Sequence, residues 1–179
     1  MKSKLKSVLL AALTLTLIAG VTTAALAVTD YFTRDTIAAR SEQIANEARR
    51  QVLTADAFEE ATVALDGKDV TYHVGKKGGQ TVGYVFSVTT SGKSAGLVIM
   101  TGVDITGQIT GVAVTENSET AGYVDKVTKA GLLSGLVGKD STDGVDTVSQ
   151  ATKTSKGVLH GVEDALAIYA AITGGGTHE

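Results

Sequence analysis

From Val158 onward the apolar residues fall at Val158, Leu159, Val162, Ala165, Leu166 and Tyr169, the spacing of one buried helical face. That pattern predicts a long final helix with Thr152 in or near its first turn. Gly174-Gly175-Gly176 stops it, since glycine is a poor helix former and readily takes the cap conformation. Between Val70 and Asn117 the texture is β-branched residues and glycines. Residues 70–74, 81–90, 96–103 and 109–115 read as strands of an antiparallel meander, with Gly78-Gly79, Ser91-Gly92 and Thr106-Gly107 at the joints. Alternation is clearest in Ile109 to Thr115, where one side is apolar and suited to packing under helices. A second helical stretch is predicted near Val124 to Val137. Residues 30–60 read as a helical stalk, with Ile37, Ile44, Ala48 and Val52 on one face and Arg34, Glu42, Arg49 and Arg50 supplying charge.

Ahead of the stalk, Val8 to Val28 carries no charge, which is about the 20 apolar residues a membrane-crossing helix needs. Lys2, Lys4 and Lys6 precede it and acids begin only at Asp30, so the N-terminus is expected in the cytoplasm and the domain on the outer face. Ala25-Leu26-Ala27 has the small-x-small form of a cleavage site. The apolar run is longer than a signal-peptide core, however, and it continues into helical pattern, so the anchor is expected to be retained. The organisation that follows is an anchor over residues 1–29, a stalk over 30–60 and one domain over 61–179. The fold class is α+β: one N-terminal transmembrane helix, then an antiparallel sheet packed by helices.

Composition excludes several classes of function. Setting the three leading lysines aside leaves 13 basic residues against 19 acidic ones, a balance of about −6 that does not suit a nucleic-acid binder. The chain has no cysteine, so disulfides, thiolate metal sites, iron–sulfur ligation and a lipid-modified cysteine are ruled out. A redox role therefore requires a borrowed cofactor. His73, His160 and His178 lack paired ligand spacing, and Asp140, Asp143 and Asp146 do not form a calcium loop, so no metal site is expected.

The chemistry concentrates in Asp146-Thr147-Val148-Ser149-Gln150-Ala151-Thr152. A hydroxyl in the first turn of a helix meets free backbone N–H groups and the positive end of the helix dipole, which favour a phosphate ester. Ser149 is positioned to cap the same turn. An ordinary capped helix start without a cofactor is the alternative reading of these residues.

The segment resembles Asp-x-x-Ser/Thr-Gly-Ala-Thr, the motif of the FMN-binding domain of the RnfG family and its NqrC relatives, in which the last threonine carries FMN through a phosphoester bond. Asp146, Ser149, Ala151 and Thr152 match, and Gln150 stands where glycine is usual. The loop Glu116 to Gly122 resembles the family's Glu-Thr-Pro-Gly loop through Glu119, Thr120 and Gly122, with Ala121 in the proline position. The likeness extends from the anchor, through Thr33 to Ala38, to the final helix. It implies covalent FMN on Thr152, with Asp146, Ser149 and Ala151 around the attachment and Glu119, Thr120 and Gly122 near the flavin ring. Lys153 or Lys156 is a candidate to balance the phosphodiester charge, and Tyr123 to stack on the ring.

The resemblance also implies a flavin transferase for maturation and a role as redox subunit of an ion-translocating ferredoxin:NAD oxidoreductase, the Rnf complex, in the bacterial cell membrane. The partners are then the other membrane and redox subunits of that complex. Other readings of the sequence are a stand-alone extracellular FMN-binding electron carrier, an NqrC-like component of a quinone reductase, and a cofactor-free anchored binding module.

Overall fold

A computed structural model describes residues 13, 15–24, 26, 42–65, 67–119 and 122–174. The chain divides into two units, Met1–Ile44 and Ala45–Glu179. In the first, residues 15–24 are helical, and the hydroxyls of Thr22 and Thr23 donate back to the carbonyls of Ile18 and Ala19 at 2.8–3.0 Å. Such bonds satisfy a hydroxyl without water. Among the described residues no helix is long and apolar enough to cross a membrane. Much of the span predicted over Val8 to Val28, and the segment Thr33 to Ala38, lie outside the described residues.

The second unit is a five-stranded antiparallel meander in the order β1 (Ala57–Leu65), β2 (Lys68–Lys77), β3 (Gln80–Ser91), β4 (Ala95–Asp104) and β5 (Ile109–Glu116). Four of these strands fall where the β-branched runs place them. The first does not: the stretch read as helical to residue 60 is helical over residues 42–52, here α1, and turns to strand at Ala57. Pairing with β2 from Ala57↔Lys76 to Leu65↔Lys68 outweighs the local helix formers of this edge strand. The predicted helix 124–137 is likewise two pieces, α2 (Tyr123–Lys129) and α3 (Leu132–Gly135). Gly131 between them takes φ 79, a left-handed conformation that ends the first helix.

The final helix, α4 (Thr152–Gly174), lies on one face of the sheet. Alternate residues of β4 point to opposite sides, as strand geometry requires. Leu97 and Ile99 join Val158 and Val162 in a cluster with Ile109, Val127, Leu132, Leu136 and Ala151, while Val103 packs with Phe86 and Ala165. Gly161 fits against the Ile99 side chain. On the opposite face, Val52 and Leu53 at the end of α1 pack with Val85 and Met100.

That second contact depends on glycines in the strands. Gly102 and Gly111 are register partners, and a Cβ on either would collide with the backbone of Val52, whose carbonyl also accepts a hydrogen bond from Thr110 Oγ1. Strand glycines often mark such a close approach. The chain leaving α1 is thus seated directly on the sheet, so Val52 and Leu53 belong to the core instead of a free stalk.

Candidate functional site

Three segments meet at the N-terminal end of α4. The β3–β4 turn (residues 91–94) lies against its first turns, and the loop after β5 closes over both through Glu119. One Glu119 oxygen, Oε1, accepts the Ser94 backbone N–H at 3.1 Å, and the other, Oε2, accepts the Thr154 hydroxyl at 3.2 Å. Thr154 is buried, at 1% exposure. Removing the carboxylate would strand that hydroxyl, and an unsatisfied buried donor costs about 1–3 kcal/mol. A Glu119→Ala chain is therefore expected to lose about 2 kcal/mol in urea denaturation, with Glu119→Gln, which keeps one acceptor oxygen, less affected.

The turn before α4 is built from its own backbone and one buried serine. Ala151 N–H donates to the Val148 carbonyl at 3.0 Å, and Ser155 Oγ accepts the Val148 N–H at 3.1 Å while donating to the Ala151 carbonyl at 3.0 Å. Gln150, the third residue of that turn, takes φ 65 and is the sole non-glycine with positive φ among the described residues. A left-handed conformation costs a residue with a Cβ roughly 1–2 kcal/mol. Glycine avoids this but gains unfolded-state entropy. Gln150→Gly is therefore expected to stabilise the fold by about 0.5–1 kcal/mol, measurable as a higher urea midpoint with unchanged slope.

Helix α4 begins at Thr152, so the residue before it is Ala151, and Ser149 does not occupy the cap position expected of it. The buried Ser155 reaches back to hold the turn instead. Thr152 itself is exposed, whereas Thr154 and Ser155 are buried and hydrogen-bonded. Beside Thr152 opens a cleft of about 280 Å³ lined by Lys93, Tyr123, Gln150, Ala151, Thr152, Lys153 and Thr154.

Of the residues predicted from sequence, Thr152, Ala151, Lys153 and Tyr123 line this cleft. Gly122 caps the start of α2 beside it with φ 90. Glu119 borders it through Thr154, its oxygens engaged in holding the loops together. Asp146, on the loop before the turn, and Ser149, the second residue of the turn, are exposed and are not among the lining residues. Thr120 and Ala121 lie outside the described residues, and Lys156 is exposed on α4 but not part of the lining. Sequence reasoning missed Lys93 and Thr154. Lys93 sits on a hairpin tip far from Thr152 in sequence, and its one signal is its place beside the Ser91-Gly92 joint.

No group of histidine, aspartate and glutamate that could hold a metal ion occurs among the described residues. The cleft instead suits an anion: an exposed hydroxyl in the first turn of a 23-residue helix, with two lysines and no carboxylate in its lining.

Residues 92–167, which span the β3–β4 turn, the Glu119 loop and most of α4, match the FMN-binding domain family, and residues 1–55 match the RnfG N-terminal region. The chain is also 29% identical over 184 aligned positions to the subunit designated G of the Na(+)-translocating ferredoxin:NAD(+) oxidoreductase complex of Acetobacterium woodii, covering 88% of this chain and 89% of that protein. The two family matches leave out only residues 56–91 and 168–179, and together with a relative similar over most of both chains they support a place for this chain in the RnfG family.

Proposed function

We propose that this chain is an FMN-carrying electron-transfer subunit of an ion-translocating ferredoxin:NAD oxidoreductase complex, with FMN attached to Thr152 through a phosphoester bond. One observation carries the reading. Thr152 presents an exposed hydroxyl at the start of α4, inside a lysine-bearing cleft, within the stretch that matches the FMN-binding domain. When bound, the cofactor supplies one- and two-electron chemistry that no side chain of this cysteine-free protein offers.

The chain's own residues bind and orient. The first-turn N–H groups of α4 and Lys153 are placed to meet the phosphodiester charge, while Tyr123 offers an aromatic face. Glu119 keeps the Lys93 turn and the Thr152 helix in register. Ligand pockets that enclose a whole drug-sized molecule measure roughly 300–1,000 Å³. The cleft beside Thr152, at about 280 Å³, is near the lower end of that range.

The N-terminal segment serves as a membrane anchor in this reading. The described apolar residues there are exposed, Leu15 at 69% and Val21 at 62%, as expected of a helix that faces lipid. With the three leading lysines cytoplasmic, the FMN domain stands on the outer face, beside the membrane subunits of the complex. A covalent bond suits that location, where a lost cofactor is not replaced, and a flavin transferase is the maturation partner.

Intact mass of the full chain co-expressed with a flavin transferase tests this. An increase of one FMN less one water is expected. An unmodified mass, under conditions that flavinylate a known acceptor, would overturn the reading in favour of a cofactor-free anchored module.

A further inference from the structure

Tyr123 has two ammonium groups gathered on its ring. Lys93 Nζ lies 4.5 Å from the ring centroid and donates to the Tyr123 hydroxyl at 3.2 Å. Lys126 Nζ lies 5.5 Å from the same centroid and donates to Gln150 Oε1 at 3.3 Å. Both contacts are to neutral partners, and like charges brought to one ring repel each other. Among the described residues neither lysine is paired with a carboxylate. Glu119, the acid that borders the cleft, already accepts from Ser94 and Thr154. The fold therefore holds uncompensated positive charge against an aromatic face next to the Thr152 hydroxyl. Cation–π attraction to Tyr123 steadies the two ammonium groups without neutralising them.

We infer that Lys93 and Lys126 form an electrostatic clamp that raises the reduction potential of the cofactor on Thr152 by stabilising its reduced, negatively charged form. The inference rests on the reading of Thr152 as the FMN carrier and adds the residues that set the potential. Uptake of two electrons and one proton leaves one net negative charge on the ring system, and an unpaired ammonium group nearby favours that state over the oxidised one. Lys93 comes from the β3–β4 turn and Lys126 from α2, so the clamp joins two of the elements that form the site. The expected contribution of each lysine is about a fivefold shift in the oxidised-to-reduced ratio, or about 20 mV for a two-electron couple at about 30 mV per tenfold.

The test is a spectroelectrochemical titration, with dithionite as reductant, of the full chain flavinylated in the cell and purified in detergent. Lys93→Met and Lys126→Met are each expected to lower the midpoint by about 20 mV, and the double variant by more. Lys139→Met removes the same charge from a residue that bonds to Ile109 outside the cleft lining, and is expected to leave the midpoint in place. Equal midpoints in the wild type and the double variant would overturn the clamp, as would a Lys139→Met shift of the same size. Should the Met variants fail to load, the salt dependence of the wild-type midpoint decides. Between about 0.01 and 1 M salt the screening length falls from about 30 to 3 Å, so the midpoint should fall, and a flat response overturns the inference. A wild-type chain that gains no mass refutes the FMN reading itself, whereas a loaded chain with an unmoved potential refutes only the clamp.

Discussion

A Gly157→Val chain is expected to lose about 3 kcal/mol of stability and, with it, most of its flavin loading. Gly157 is buried on the face of α4 that lies against the β3–β4 turn. A Cβ there would stand 2.8 Å from the Ser91 carbonyl oxygen and 3.0 Å from Gly92 Cα, and both atoms belong to backbone that cannot rotate away. Val replaces glycine favourably as a helix former, by roughly half a kcal/mol, but overpacking a tight backbone contact costs about 1–3 kcal/mol or more. Packing wins, and the helix must move off the turn. That movement separates Lys93 from Thr152 and draws Thr154 away from Glu119, so stability and loading fall together. Gly135→Ala, on α3 with nothing within 4 Å of the added carbon, is the control and should be neutral or slightly stabilising. Thermal unfolding followed by circular dichroism, beside flavin fluorescence on denaturing gels, measures both effects.

The two glycines that position the site illustrate what can be read from a sequence and what cannot. Gly92 is legible as a turn residue because Ser91-Gly92 separates two β-branched runs. Gly157 sits inside a helical pattern and reads there only as a weak helix former, since its role is to let a turn from elsewhere in the chain approach. The same limit explains Gly102 and Gly111, whose function is to seat Val52. Periodicity located β2 to β5 and α4 because each buries one continuous face. It failed at β1, where Ala57, Glu59, Glu60 and Ala61 carry no strong strand preference and pairing with β2 decides. Thr152, the proposed attachment residue, was legible because the features that mark it, a hydroxyl and a helix start, are local. Lys93 was not, because its relation to Thr152 exists only once the hairpin folds onto α4.

Gln150 stands between these cases. Sequence alone marks it as the departure from the family's usual glycine, and the backbone shows the reason glycine is usual there, a left-handed φ of 65. Its side chain accepts from Lys126, so the strained position also steadies one arm of the cation pair over Tyr123.

Thr152→Val is expected to abolish flavin attachment completely while leaving the fold intact. Four hydroxyls lie near the start of α4, and the structure separates them. Thr154 and Ser155 are nine-tenths or more buried, one bonded to Glu119 and the other to the Ala151 carbonyl, so neither is open to a transferase without unfolding the turn. Ser149 is exposed but precedes the helix, away from the N–H groups of its first turn and outside the cleft lining. Thr152 alone combines exposure with a place in that turn and in the cleft. Valine has nearly the shape of threonine, and at an exposed position the substitution should change stability by no more than about 0.5 kcal/mol. Thr152→Ser keeps an oxygen nucleophile at the same place and should still gain mass. A full FMN increment on Thr152→Val would move the attachment to another hydroxyl, with Ser149→Ala the next variant to weigh. Loss in both the Val and Ser variants, with native circular dichroism, would mean that the threonine methyl group, and not only its hydroxyl, is required by the transferase.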